Sequence, residues 1–144
     1  MSTIVTRAGK GSPLTHTEVD ANFTNLNTDK AGYVTGEGGT VTQATSKSTA
    51  VTLNKKCGTI TMNNAALTAS HLGNHIVSFT LTNSTIAATD VVVLNHASAG
   101  TAGKYALNAQ AAAGSASINV TNISAGSLSE AIVIRFAVIK AVTA

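Results

Sequence analysis

The sequence is short of charge, aromatic rings, cysteine and proline. Of its 144 residues, 10% are charged and 3% are aromatic, and it has one cysteine, one proline and no tryptophan. Ordinary soluble domains carry about 25% charged residues. A surface so poor in charge must be covered by threonine, serine, asparagine and glycine. Such a surface suits close contact with other protein, because few charges lose their water on binding.

These shortages argue against several classes of protein. The net charge is only +3 and the lysines are scattered, whereas a nucleic-acid binder concentrates basic residues on one face. No apolar run reaches the ~18 residues of a membrane span. Arg7 and Lys10 are followed by glycine, serine and proline, so no secretion signal is predicted. The single Cys57 cannot form an internal disulfide, which favours synthesis in a reducing cytoplasm.

Residues 1–38 are predicted to form an arm that contains one short helix and ends in a glycine-rich connector. Thr15 is placed as the N-cap, and Glu18, three residues later, completes a capping box. A helix of about a dozen residues is not stable alone. Its narrow apolar stripe must therefore lie against its own domain, a symmetry mate or a larger assembly. We name this stripe the attachment stripe; its residues are Leu14, Val19, Phe23 and Leu26.

From residue 39 to residue 144 the apolar period changes to two, which is typical of strands. Turns of glycine, asparagine and serine separate about eight strands at sandwich-like spacing, and residues 55–58 are predicted as a turn. There is no βαβ rhythm, so the pattern predicts an all-β fold, an antiparallel jelly-roll-like sandwich. The predicted strands are Thr40–Thr45, Ala50–Asn54, Thr59–Asn63, Ile76–Thr82, Asp90–Asn95, Tyr105–Ala111, Ala116–Asn122 and Ala131–Val142.

The last predicted strand has apolar residues on both of its sides. One side is expected to point into the core, and three of the four residues on the other side are also apolar. Exposed apolar strand faces usually mark contact surfaces. We therefore predict a subunit interface at Val133, Arg135, Ala137 and Ile139.

The sequence offers little for chemistry. His71 and His75 have i, i+4 spacing, but Gly73 and Asn74 argue against a helical metal site, although histidines near a symmetry axis can still gather a metal. His96, Asp90 and a serine can be drawn as a triad, but a serine-rich chain gives such sets by chance, and no GxSxG elbow is present. We expect no enzyme activity, no catalytic residue and no cofactor.

The segment Thr6–Lys30, TRAGKGSPLTHTEVDANFTNLNTDK, resembles a sequence common at the N-terminus of tail-fibre and other virion structural proteins of tailed bacteriophages. Its most specific run is GSPLTHTEVDANFTNL. The remainder, from GGTVTQATSKSTAVTLN to EAIVIRFAVIKAV, looks like β-rich modules of phage fibre and head-decoration proteins. The resemblance implies attachment to a virion through the arm, a homotrimer, and no catalytic residues.

The chain lacks the long repeat shaft that a tail fibre needs to reach a receptor. We therefore expect a capsid decoration or cement protein, or a head-fibre protein, made in the host cytoplasm and located in the virion. Its partner would be the major capsid protein or another virion protein, with no nucleic acid and no membrane. The alternative is a short tail-fibre or receptor-binding tip protein that contacts the host surface.

Overall fold

Two short helices precede a set of strands in the computed structural model, which describes residues 4–28, 36–70 and 75–141. The helices are α1 (Arg7–Lys10) and α2 (His16–Thr28). The strands are β1 (Thr40–Thr42), β2 (Val51–Thr52), β3 (Cys57–Thr61), β4 (Ile76–Thr82), β5 (Val91–Ser98), β6 (Tyr105–Ala112), β7 (Ser115–Asn122) and β8 (Val133–Ile139). The expected all-β class is confirmed.

The strands form two sheets of four, and the chain alternates between them. Sheet A has the order β1-β3-β8-β5, and sheet B has the order β2-β4-β7-β6. From β1 to β6, each strand lies in the opposite sheet from the strand before it. β7 then forms a hairpin with β6, and β8 returns to the interior of sheet A between β3 and β5.

Two features of the predicted topology are wrong. The β1–β3 and β2–β4 pairs are parallel, so the sandwich is not antiparallel throughout. Residues 55–58 do not close a hairpin, because β3 begins at Cys57 and pairs with β8, where Cys57 lies opposite Ala137. The cause is the same in both cases: β2 and β3 belong to different sheets, and a period-two pattern does not say which sheet a strand joins.

The core lies between the two sheets. In β8, Ile134, Phe136 and Val138 are buried and alternate with residues on the outer face. In β7, Ile118 and Val120 face them from sheet B and are fully buried. The expected inward alternation of these strands is confirmed, and it follows from the opposite directions of successive side chains in a strand.

Buried amides fasten the loops to this core. The Asn122 side chain is fully buried, and its Nδ2 donates to the carbonyls of Leu67 (3.0 Å), Thr68 (2.9 Å) and Gly126 (2.9 Å). Its Oδ1 accepts from the backbone N–H (2.9 Å) and the hydroxyl (2.7 Å) of Ser124. One side chain therefore satisfies polar groups from two separate loops, which is what burial of polar groups requires.

Candidate functional site

The predicted capping box of the arm is confirmed. The Thr15 N–H donates to Glu18 Oε2 (2.8 Å), and the Glu18 N–H donates to Thr15 Oγ1 (3.3 Å). Lys10 Nζ also donates to Glu18 Oε2, at 2.5 Å. The Lys10 ammonium and the Thr15 donors lower the pKa of Glu18 to about 2. The start of α2 is thus fixed by contacts within the arm.

The arm contains one more helix than predicted. The single turn α1 begins after Thr6, whose hydroxyl accepts from the Gly9 N–H (3.1 Å), and ends at Gly11, which adopts φ +73°. An N-cap threonine and a left-handed glycine are the usual signals for these two ends. A single turn is too short to show the apolar period of a helix, so this helix was not predicted.

The residues before α1 are attached to α2 by one amide. Asn22 Oδ1 accepts from the Val5 N–H (2.9 Å), and Asn22 Nδ2 donates to the Val5 carbonyl (2.8 Å). This two-point contact mimics strand pairing. It was not predicted, because a local sequence pattern does not show a contact between residues 17 apart in the chain.

The attachment stripe is uncovered where the structure describes it. Phe23 is 68% exposed and Val19 36% exposed, whereas Leu14 is half-buried. The Leu26 side chain lies outside the described residues. No side chain described over residues 4–25 is buried. A phenylalanine this exposed leaves most of its ring in water, so the stripe is an apolar surface without a partner in the described chain.

The outer face of sheet A carries a second apolar patch. Of the four predicted interface residues, Arg135, Ala137 and Ile139 are exposed and Val133 is half-buried, so their expected outward position is confirmed. On β5, Val91 lies opposite Ile139 and Val93 opposite Ala137. Val91, Val93 and Ile139 are 55%, 46% and 54% exposed. The interface role itself stays a prediction.

The β5 contribution to this patch was not named from the sequence. The signal was present, because the run DVVVLN is apolar at consecutive positions, and consecutive positions of a strand face opposite sides. We call the set Val91, Val93, Ala137 and Ile139 the A-face patch.

A shallow cavity of about 250 Å³ lies beside the A-face patch. It is smaller than the ~300–1,000 Å³ of typical small-molecule sites. In the described residues the ion pairs are Lys10–Glu18 and Lys140–Asp90, so Arg135 at the cavity wall has no carboxylate partner there. The lining contains no histidine and no carboxylate; it consists of Gly38, Gly39, Cys57, Gly58, Thr59, Arg135 and Phe136.

The outer face of sheet B is uncharged and mostly polar, with Ile76 exposed at one end of β4. Its strands β2, β4, β6 and β7 contain no charged residue. A chain of side-chain hydrogen bonds crosses three of them: Ser78 Oγ donates to Asn119 Oδ1 (2.5 Å), and Asn119 Nδ2 donates to Asn108 Oδ1 (2.6 Å). This face can form hydrogen bonds with a partner without removing any charge from water.

The structure does not bring His96 and Asp90 together. They lie near opposite ends of β5, which separates them by ~20 Å at about 3.3 Å per residue. His96 Nε2 lies 2.6 Å from the Ala99 carbonyl. Burial tends to raise the pKa of Asp90, but the Ala87 N–H (2.7 Å) and Lys140 lower it overall. Asp90 therefore acts as an anchor for neighbouring backbone, and the triad is excluded.

Glu130 also has a structural role. Its carboxylate accepts from the Thr101 N–H (3.0 Å), the Thr101 hydroxyl (2.6 Å) and the Tyr105 hydroxyl (2.7 Å). These donors, the Thr101 hydroxyl first, lower the pKa of Glu130, while burial and then the hydrogen bond to Glu130 raise the pKa of Tyr105. The contacts hold the loop between β5 and β6.

The metal hypothesis concerns residues that are only partly described. His71 lies outside the described residues. His75 Nδ1 is buried without a hydrogen-bond partner there. Across residues 4–28, 36–70 and 75–141, no group of three or more histidine, cysteine, aspartate or glutamate side chains is placed to hold a metal ion. Over the same ranges, neither helix has the length and apolar character needed to cross a bilayer.

Comparison with known proteins gives no relative from which a role can be transferred. No family model matches the chain, and no curated protein and no solved structure matches it. The surfaces described above and the resemblance of the arm are therefore the basis for proposing a function.

Proposed function

We propose that this chain is a structural protein of a phage virion: a capsid decoration or cement protein, or a head-fibre protein, that docks through its arm and stabilises or decorates the shell. The observation that carries the proposal is the uncovered attachment stripe, with Phe23 68% exposed on a helix fixed by its own capping box. Water contact with so large an apolar side chain is unfavourable, so a partner surface stabilises this arrangement.

The proposed partner is the major capsid protein or another virion protein. A preformed helix loses less conformational entropy on docking than a disordered segment. Repetition of the contact around a symmetric shell then turns a modest affinity into strong overall attachment. No cofactor, nucleic acid, membrane or catalytic activity is part of this role.

We further propose that the protein is a homotrimer whose subunits meet through the A-face patch. Val133 and Arg135 extend this patch along β8. The proposed fold is that of a jelly roll, in which successive strands also alternate between two sheets. The alternation of β1 to β6 between sheets supports that relation, whereas the two parallel pairs depart from it.

The alternative is a receptor-binding tip of a short tail fibre, and the uncharged outer face of sheet B favours it. Rows of hydroxyls and amides, such as Ser78, Asn108 and Asn119, suit hydrogen bonding to neutral sugars. The two candidates differ in location on the particle. Immunogold labelling on the head supports decoration, and labelling at the tail tip supports receptor binding.

The attachment proposal is tested with Phe23→Ala and the matched control Thr17→Ala, which removes an exposed polar side chain from the same helix. If docking buries the Phe23 ring, its loss costs about 2 kcal/mol, roughly 30-fold in affinity for particles that lack the protein. We expect unchanged urea unfolding of the sandwich for both variants. Equal binding by wild type and Phe23→Ala would contradict the proposal.

The trimer is tested with Ile139→Asp in the A-face patch and Thr80→Asp on the exposed outer face of sheet B. A carboxylate buried in an apolar interface is strongly unfavourable. We therefore expect sedimentation to give masses that are multiples of three chains for wild type and Thr80→Asp, and a mass below three chains for Ile139→Asp. A wild-type mass at micromolar concentration that is not a multiple of three chains, or an Ile139→Asp mass that is one, refutes this interface.

A further inference from the structure

Three of the four sheet edges carry a feature that discourages pairing with another chain. β1 and β2 have only 3 and 2 residues, and β5 has a bulge between His96 and Ser98. Short edge strands and bulges are known protections against edge pairing. β6 has none of these protections: it has 8 residues, a regular register with β7, and no charge or proline.

The flank of the sandwich at β6 is incompletely covered. Of the four inward-facing side chains of β6, Tyr105 is buried and the other three remain half-buried, whereas the β7 side chains opposite those three are fully buried. These opposed pairs are Leu107 with Val120, Ala109 with Ile118, and Ala111 with Ala116. β5, which precedes β6 in the chain, lies close to it, and the His96 ring of β5 contacts the Tyr105 ring, but β5 belongs to the other sheet and shares no ladder with β6 in the described residues. A strand added at this edge would extend the burial of the three half-buried side chains.

We propose that β6 pairs in the antiparallel direction with β6 of a second copy, about a two-fold axis at Ala109, which joins two B sheets into one continuous sheet. The strand is self-complementary about this point. Asn108 lies opposite Gln110 of the second copy, so amide meets amide on the outer face. Ala106 likewise lies opposite Ala112 of the second copy, so small side chains meet. A two-fold contact uses the same patch on both copies and closes at two.

The chain of hydrogen bonds on the outer face of sheet B ends at Asn108 on β6, from which it can continue into the second copy. Asn108 Oδ1 already accepts from Asn119 Nδ2 (2.6 Å). The Asn108 amide N–H groups are then available to the Gln110 carbonyl oxygen of the second copy, and the chain continues across the seam. Like charges that lie opposite each other on paired strands are unfavourable. β6 has no charged residue, so the proposed pairing brings no like charges together.

The register is tested by disulfide trapping in the full chain carrying Cys57→Ser, which removes the native thiol. Directly opposed Cα atoms lie about 4.5–5.5 Å apart, within disulfide range, whereas diagonal neighbours lie about 7–8 Å apart, at or beyond its limit. A mixture of Asn108→Cys and Gln110→Cys should therefore crosslink, and each variant alone should not. The expected product on a non-reducing gel has twice the 14.4 kDa chain mass.

Charge reversal gives a second test that needs no oxidation. The double variant Asn108→Lys/Gln110→Lys places lysines opposite lysines, so its copies should not pair. The copies of the double variant Asn108→Glu/Gln110→Glu should not pair with one another either. A mixture of the two variants should pair, because each lysine then lies opposite a glutamate. The control Ser117→Lys adds charge on β7, away from the edge. Crosslinks from either single cysteine variant equal to the mixture, or pairing by the all-lysine variant, would overturn the proposal. Particle attachment does not use these residues, so its outcome is independent.

Discussion

Replacing Asn122 with alanine should destabilise the sandwich by about 2 kcal/mol. The substitution removes the donor to three carbonyls and the acceptor for Ser124. Two of the carbonyl contacts are only partly buried, and the third carbonyl, that of Leu67, still accepts from the Leu128 N–H (3.0 Å). The Ser124 N–H, whose bond to Asn122 is buried, is left without a partner. One such group costs about 1–3 kcal/mol, so the melting temperature should fall by roughly 8 °C.

The control for this prediction is Asn119→Ala on the same strand. Asn119 also has a hydrogen-bonded amide, but its bonds to Ser78 and Asn108 lie on the outer face, where water replaces them. We expect its loss to cost less than about 1 kcal/mol. Urea unfolding followed by far-UV circular dichroism suits a chain without tryptophan. If Asn122→Ala loses no more stability than Asn119→Ala, the buried amide of Asn122 does not hold the two loops to the core.

Two further predictions concern acid. The pKa of Asp90 is held below its ordinary value of 3.8. The contribution of the Asp90 carboxylate to stability is therefore present above about pH 4 and is lost as the pH falls through the lowered pKa. The urea unfolding midpoint of Asp90→Asn should vary less between pH 5 and 2 than that of wild type. The Glu18 carboxylate should hold the start of α2 until the pH falls from 4.5 towards 2. In Glu18→Gln, NMR secondary shifts of residues 16–19 should weaken and lose this pH dependence.

The strands could be predicted well from sequence, but their arrangement could not. β4 was predicted at its observed bounds, because the alternation in IVSFTLT is strong and its ends are marked by polar residues. The parallel β1–β3 pair depends on contacts between residues about twenty apart in the chain, such as Thr40 with Thr59. Local periodicity contains no information about such pairing.

The surfaces were predictable only in part, for a similar reason. The capping box of α2 was found because its two residues are three apart, so a local pattern specifies it completely. The A-face patch forms only because the folded chain brings Val91 beside Ile139. The hydrogen bonds of Asn122 likewise involve carbonyls from loops that are distant in the sequence. Asparagine near strand ends was interpreted as turn-forming, since a sequence does not show whether an amide is buried. Exposure of Phe23 likewise required the folded chain.

The interior position of β8 has a consequence for biosynthesis. Until the ribosome has passed Ile139, β3 and β5 have a gap between them that only this strand can fill. All seven of the other described strands are made before β8, so the nascent chain exposes the unpaired edges of β3 and β5, which favours aggregation. A product that stops before Val133 cannot close sheet A, so incomplete chains should be removed by proteolysis instead of entering an assembly.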